Sequence, residues 1–226
     1  MLDERLRSNV ERRLRPVGAR AGRARLRADH LTLVGLVMAV AAAVAIGAGA
    51  LRAGLVLLVL AALPDALDGA VARATGTASP RGSFFDSVAD RVTDALLLGG
   101  VAWYLVDDGG GLVVLLPMAV LAASMLISYE RAKAESLGFS ARGGLMERAE
   151  RLIVLGVGLL FNFLLVSVLW LMLALTLFTA VQRFVLVWRQ ASSAPPPVPL
   201  TVRWNQRRVA RRSASSWRQR ARTTRR

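Results

Sequence analysis

Apolar runs separated by short polar breaks fill the middle of the chain. Residues 31–50 carry no acidic or basic side chain over about 20 positions, the length that crosses a bilayer core. Further runs follow at 51–71, 83–105, 112–128, 152–161 and 164–187. The breaks hold Gly, Pro, Asp and Arg. The loop at 73–82 contains Gly76, Pro80 and Gly82, and residues 107–111 read Asp-Asp-Gly-Gly-Gly. Asp29 sits where an N-cap would precede the first run. The fourth run continues as a polar helix over 129–137 until Gly138 stops it, and a split near Asn162 separates the fifth run from the sixth. The pattern predicts an all-α integral membrane protein with six transmembrane helices. The fifth is long enough only if its first turns, with Arg148 and Arg151, face a polar cavity.

Charge sharpens this picture. The chain is 54% hydrophobic, with a mean hydropathy of +0.46, yet has a net charge of +15. Both hold because the charge is segregated: arginines crowd the first 27 residues and everything after Arg183. Leu2, Leu6, Val10 and Leu14 recur every four residues until Pro16 and Gly18 interrupt, which predicts an N-terminal interfacial amphipathic helix on an anionic leaflet. The Arg-rich start has no signal-peptide pattern. Three parts follow: a basic interfacial helix over 1–28, a six-helix membrane domain over 29–188, and a Pro-containing linker with an Arg-rich tail, expected to be disordered, over 189–226. Cysteine is absent, which excludes disulfides and thiolate metal sites. The only histidine, His30, is assigned no role. The basic segments are the two tails and the loops at 73–81 and 131–151; six spans across a plasma membrane with both termini cytosolic put all of them, and both carboxylate pairs (Asp65 with Asp68, Asp86 with Asp90), on the cytosolic side.

Four carboxylates break the apolar pattern. Asp65 and Asp68 are three apart, and Asp86 and Asp90 four apart, so each pair shares one helix face. At roughly 2.5–3.5 kcal/mol each in a membrane helix, four cost on the order of 10 kcal/mol without compensation. Two such faces turned together make a cage of hard oxygen ligands suited to Mg²⁺, Mn²⁺ or Ca²⁺. Gly69 and Gly82 clear space beside them, and Arg73 offers a bidentate phosphate contact. A divalent metal beside a phosphate-linked lipid is the implied chemistry.

The spacing Asp65-x2-Asp68-Gly69-x2-Ala72-Arg73-x8-Gly82-x3-Asp86-x3-Asp90 resembles, without gap or substitution, the signature of the CDP-alcohol phosphatidyltransferases. The resemblance covers about residues 28–188. It implies displacement of CMP from CDP-diacylglycerol by an alcohol at a site with two metal ions, Mg²⁺ or alternatively Mn²⁺. Asp65, Asp68, Asp86 and Asp90 would ligate metal, and Asp90 would also be the general base. Gly69, Arg73 and Gly82, with a hydroxyl contact from Ser79, would hold the CDP-lipid. A homodimer in the bilayer is also implied.

A second polar set lies later in the chain. Ser128-Tyr129-Glu130-Arg131-Ala132-Lys133-Ala134-Glu135, then Glu147-Arg148-Ala149-Glu150-Arg151 and Gln182-Arg183, resembles the actinobacterial phosphatidylinositol-phosphate synthases. That resemblance implies Ser128, Arg131, Arg151 and Arg183 as ligands of the phosphate on a soluble acceptor, inositol 1-phosphate. Those enzymes usually have Lys where this chain has Arg131. The bland alternative is that these arginines pair along their helices with Glu130, Glu135, Glu147 and Glu150.

Three other functions compete. Glycerol 3-phosphate as acceptor would give phosphatidylglycerophosphate. A divalent-cation transporter would explain intramembrane carboxylates but not Arg73 among them. A nucleic-acid binder would use the tail, where Arg is interleaved with Trp204 and Trp217, but it leaves the carboxylates unexplained; nucleic acid is not an expected partner.

Overall fold

A computed structural model describes residues 28–75, 79–141 and 143–193, without the side chains of 28–29 and 64–75. The interfacial helix expected over 1–28 and the tail beyond 193 lie outside the described residues, apart from the backbone of Ala28. The described residues form six α-helices in order: α1 Ala28–Gly47, α2 Leu51–Thr75, α3 Pro80–Asp107, α4 Leu115–Ser136, α5 Arg148–Leu160 and α6 Leu165–Ser193. Short 3₁₀ turns over Gly111–Val114 and Asn162–Leu164 lead into α4 and α6. No strand occurs among the described residues.

Among the described residues, three helical segments are long and apolar enough to cross a membrane: His30–Gly47, Gly111–Ser136 and Asn162–Ser193. In α2 the apolar stretch Leu51–Leu63 precedes the first carboxylate pair. In α3 the charges of the first turns dilute the hydropathy. The 13 residues of α5 rise about 20 Å, short of the roughly 30 Å hydrocarbon core.

The helices pack α1 on α2, α1 on α3, α3 on α4 and α2 on α5. One core cluster runs through them, with Ile46, Leu58, Leu97, Val120, Leu159 and Leu169 among its members. The outer surface is far more apolar than that of a water-soluble bundle, and several polar groups lie within the core. Thr93, Asp94, Ser124, Arg151, Thr176 and Arg183 are buried, while Val37, Val44, Trp170 and Phe178 face outward. Apolar surface outside and polar groups inside is the arrangement that lipid solvation favours. The buried hydroxyls satisfy themselves along their own helices: Ser124 Oγ donates to Val120 O (2.8 Å) and Thr176 Oγ1 to Met172 O (2.6 Å).

Small residues let helices approach. A Cβ placed on Gly100 of α3 would sit 2.5 Å from Ala43 O of α1, so only glycine admits this crossing. The break at 107–111 turns through Gly109 (φ 73°) and Gly111 (φ 52°), and Gly138 (φ 84°) ends α4 as expected.

Several boundaries differ from the sequence expectation. The helix already includes Ala28, so Asp29 lies inside α1 rather than capping it. The loop expected over 73–82 is shorter, because α2 runs on to Thr75 and α3 begins at Pro80. Proline at the first helical position and Ser79 before it make that start favourable. The chain divides into two units, Met1–Val187 and Trp188–Arg226. In the second, the described residues are the helical end 188–193, where Ser192 Oγ donates to Trp188 O and Ser193 Oγ to Arg189 O.

Candidate active site

The carboxylates occupy two helices consecutive in the chain, α2 and α3. Asp65, Asp68, Gly69 and Arg73 lie in the last turns of α2; their side chains are outside the described residues. Asp86 and Asp90 lie one turn apart near the start of α3, both partly buried. Ser79 is the N-cap of α3: its Oγ accepts a hydrogen bond from Gly82 N at 3.1 Å. Two of the four residues expected to hold the CDP-lipid, Ser79 and Gly82, therefore also build the start of the helix that carries Asp86 and Asp90.

A ladder of ion pairs joins α3 to α5. Arg148 Nη1 lies 2.8 Å from Asp90 Oδ1, and Arg148 Nε lies 3.8 Å from Asp94 Oδ1. Arg151 Nη2 donates to Asp94 Oδ2 at 2.6 Å, while its Nη1 donates to Met146 O at 3.3 Å. Exposure falls along the ladder. The Asp90 and Arg148 side chains are 21% and 19% exposed, and those of Asp94 and Arg151 are 8% each. The alternation follows from helix geometry: carboxylates four apart on α3 meet arginines three apart on α5. Arg91 adds a looser contact, with Nη1 at 3.8 Å from Asp90 Oδ2.

Asp94 escaped the sequence reading. Its signal was present, since Asp86, Asp90 and Asp94 repeat at the same four-residue interval, but the signature stops at Asp90.

The expected acceptor residues divide. Arg151 is buried at the closed end of the ladder. Arg183, 3% exposed, donates through Nη1 to Ile127 O and through Nη2 to Gly143 O, both at 3.0 Å. It thus ties α6 to α4 and to the loop before α5. That loop is close-packed: a Cβ on Gly144 (φ 152°) would collide with the Thr179 methyl. Ser128 Oγ donates to Ser124 O at 3.0 Å. Arg131 is the most exposed of the set and pairs with Glu135 one turn on, Nε to Oε1 at 3.1 Å. Pairing along the helix therefore describes Arg131, whereas Arg148 and Arg151 pair across to α3.

Residues 25–191 match the CDP-alcohol phosphatidyltransferase family. The chain belongs to that family, and with its apolar helices it is a membrane protein. It is 37% identical over 177 residues to the archaetidylinositol phosphate synthase of Methanothermobacter thermautotrophicus, covering 75% of this chain and 87% of that one. It is 40% identical over 167 residues to the phosphatidylinositol phosphate synthase of Corynebacterium glutamicum, covering 70% and 76%. Crystal structures of Mycobacterium tuberculosis phosphatidylinositol phosphate synthase share the fold. The one with CDP-DAG bound has a TM-score of 0.73 at 30% identity, covering 83% of this chain and 100% of that one. The one in complex with manganese and citrate has a TM-score of 0.69 at 32% identity, covering 77% and 88%.

Proposed function

We propose that this protein transfers the phosphatidyl group of CDP-diacylglycerol to a hydroxyl of inositol 1-phosphate, releasing CMP. The observation that carries the phosphorylated acceptor is the ladder: the carboxylate expected to activate the hydroxyl, Asp90, is joined through Arg148 and Asp94 to the buried guanidinium of Arg151. Relatives named as inositol-phosphate lipid synthases support the same reading.

The donor set fits a hard divalent cation. Asp86 and Asp90 lie on successive turns of α3, Asp65 and Asp68 lie on α2, the preceding helix in the chain, and the chain has no thiol. These four residues would hold two ions, Mg²⁺ or Mn²⁺, which when bound neutralise the diphosphate and polarise its phosphorus. Arg73 and the clearings at Gly69 and Gly82 hold the diphosphate, and Ser79 sets the start of α3 beside it. Asp90 accepts the proton of the attacking hydroxyl. The hydroxyl oxygen bonds to the phosphorus that bears diacylglycerol, and the P–O bond to CMP breaks. Ser128, Arg131 and Arg151 hold the acceptor phosphate, with Arg183 adding charge behind them while it fixes the wall of the pocket. Little covalent chemistry is asked of the protein; positioning and charge neutralisation carry the step.

The membrane domain over 29–188 crosses the bilayer six times in this reading, with both termini and the active site cytosolic. The Lys/Arg bias of its loops supports that orientation. The family resemblance read from the sequence implies a homodimer, which sizing in detergent tests. The reaction itself is tested with purified protein, CDP-diacylglycerol and Mg²⁺, run against inositol 1-phosphate, glycerol 3-phosphate, free inositol and no acceptor. CMP release only with inositol 1-phosphate supports the proposal. Release with glycerol 3-phosphate instead keeps the transferase and replaces the acceptor.

A further inference from the structure

Asp94 has a geometry that the transfer reaction alone does not require. It is a carboxylate inside an apolar helix pair, 7% exposed, one turn deeper than Asp90. Below it the surroundings are apolar: Leu97, Leu98, Leu155 and Met172 line the small pocket it shares with Arg151. A buried ion pair in such a place contributes little net stability, because desolvating both charges offsets most of their attraction. Packing would be served as well by two hydrophobic residues. What the pair does supply is geometry. A planar guanidinium with one nitrogen 2.6 Å from Asp94 Oδ2 and another on Met146 O has its plane and its reach fixed. The other Asp94 oxygen stands 3.8 Å from Arg148 Nε, and Arg148 in turn meets Asp90 at 2.8 Å. One carboxylate therefore faces both arginines of α5 while sitting on the same helix as the expected base.

We propose that Asp94 is a positioning residue that sets Arg151, and through Arg148 the start of α5, at a fixed distance from Asp90, so that acceptor phosphate and acceptor hydroxyl are held together in register. This inference rests on the phosphorylated-acceptor reading above. Asp94 itself touches neither substrate. Loss of its charge leaves Arg151 present but unaligned, so the defect falls on acceptor binding and not on the CDP-lipid. Misplacing a substrate-orienting group by about 1 Å costs on the order of 100-fold, and a partly retained alignment costs less.

The test is steady-state kinetics of full-length protein with CDP-diacylglycerol, Mg²⁺ and inositol 1-phosphate for wild type, Asp94→Asn, Arg151→Gln and the double variant. Thermal unfolding of each is followed in parallel. The expected result is a KM for inositol 1-phosphate raised about tenfold or more in Asp94→Asn, with KM for CDP-diacylglycerol within threefold of wild type. The double variant is then no worse than Arg151→Gln alone, because Asp94 acts through Arg151. Asp94→Glu, which keeps the charge, recovers part of the acceptor KM; it also serves as the variant to read if Asp94→Asn does not fold, with a raised acceptor KM as its expected result. An acceptor KM unchanged in a folded Asp94 variant, or effects that multiply in the double variant, overturns the inference. A wild type that releases no CMP with any phosphorylated acceptor fails the underlying reading instead, and the two failures are told apart by that first arm.

Discussion

The two halves of α3 solve opposite problems. From Asp86 to Asp94 the helix presents charge and is held by arginines of α5. From Leu97 to Leu105 it is mostly apolar and held mainly by contact, with Gly100 against Ala43 of α1, while Tyr104 Oη donates to Asn162 Oδ1 at 3.1 Å. The apolar half depends on shape, where one added methyl group is felt. The polar half depends on partners, where a lost charge leaves another buried and alone. Stability and chemistry are thus separated along one helix, and substitutions in each half should fail differently.

The largest effect is expected at Asp90. Asp90→Asn removes a proposed metal ligand and the proposed base, and should lower kcat for CMP release by about 10³-fold or more, with a smaller fall in unfolding temperature than Arg151→Gln because the Asp90–Arg148 pair is partly exposed. A loss below tenfold would take the base role away from Asp90. Next comes Arg151→Gln, which strands the Asp94 carboxylate at 8% exposure. Breaking a buried pair from one side costs about 3–5 kcal/mol, so the unfolding temperature in detergent should fall together with acceptor affinity.

The apolar half should give the reverse signature. Gly100→Ala forces α1 and α3 apart and should cost about 1–3 kcal/mol, read as a lower unfolding temperature with activity per folded molecule kept. A Gly100 variant that loses activity while staying folded would erase the distinction between the halves. Ser79→Ala is smaller. Loss of the N-cap should cost about 1 kcal/mol with KM for CDP-diacylglycerol unchanged; a raised KM would make Ser79 a substrate contact as well. The smallest effect belongs to the exposed Arg131–Glu135 pair: Glu135→Ala should shift stability by less than about 1 kcal/mol.

The apolar half of the fold was legible because periodicity and run length carry it. The break at 107–111, the stop at Gly138 and the split at Asn162 all lie where glycine and polar residues interrupt hydrophobic runs. The helix ends around the carboxylates were less legible. Residues 73–75 and 80–82 look like loop by polarity, yet they continue α2 and open α3, where Pro80 and the Ser79 cap favour a helix start. In the site, Asp86 and Asp90 were found by their spacing, whereas Asp94 was not. Its meaning depends on which arginines α5 brings opposite, and that is a tertiary fact. Arg183 teaches the same lesson from the other side. Its sequence position suggested a phosphate ligand, while its guanidinium also bonds two backbone carbonyls from separate segments, which no local pattern encodes.

The most direct test of the account is the mass of the lipid made from CDP-diacylglycerol when inositol and inositol 1-phosphate are supplied together at equal concentration. A site with a carboxylate base joined to a buried arginine predicts a product whose headgroup retains the acceptor's phosphate, so that the lipid carries two phosphorus atoms. A product with one phosphorus atom, formed from free inositol in that mixture, would contradict it.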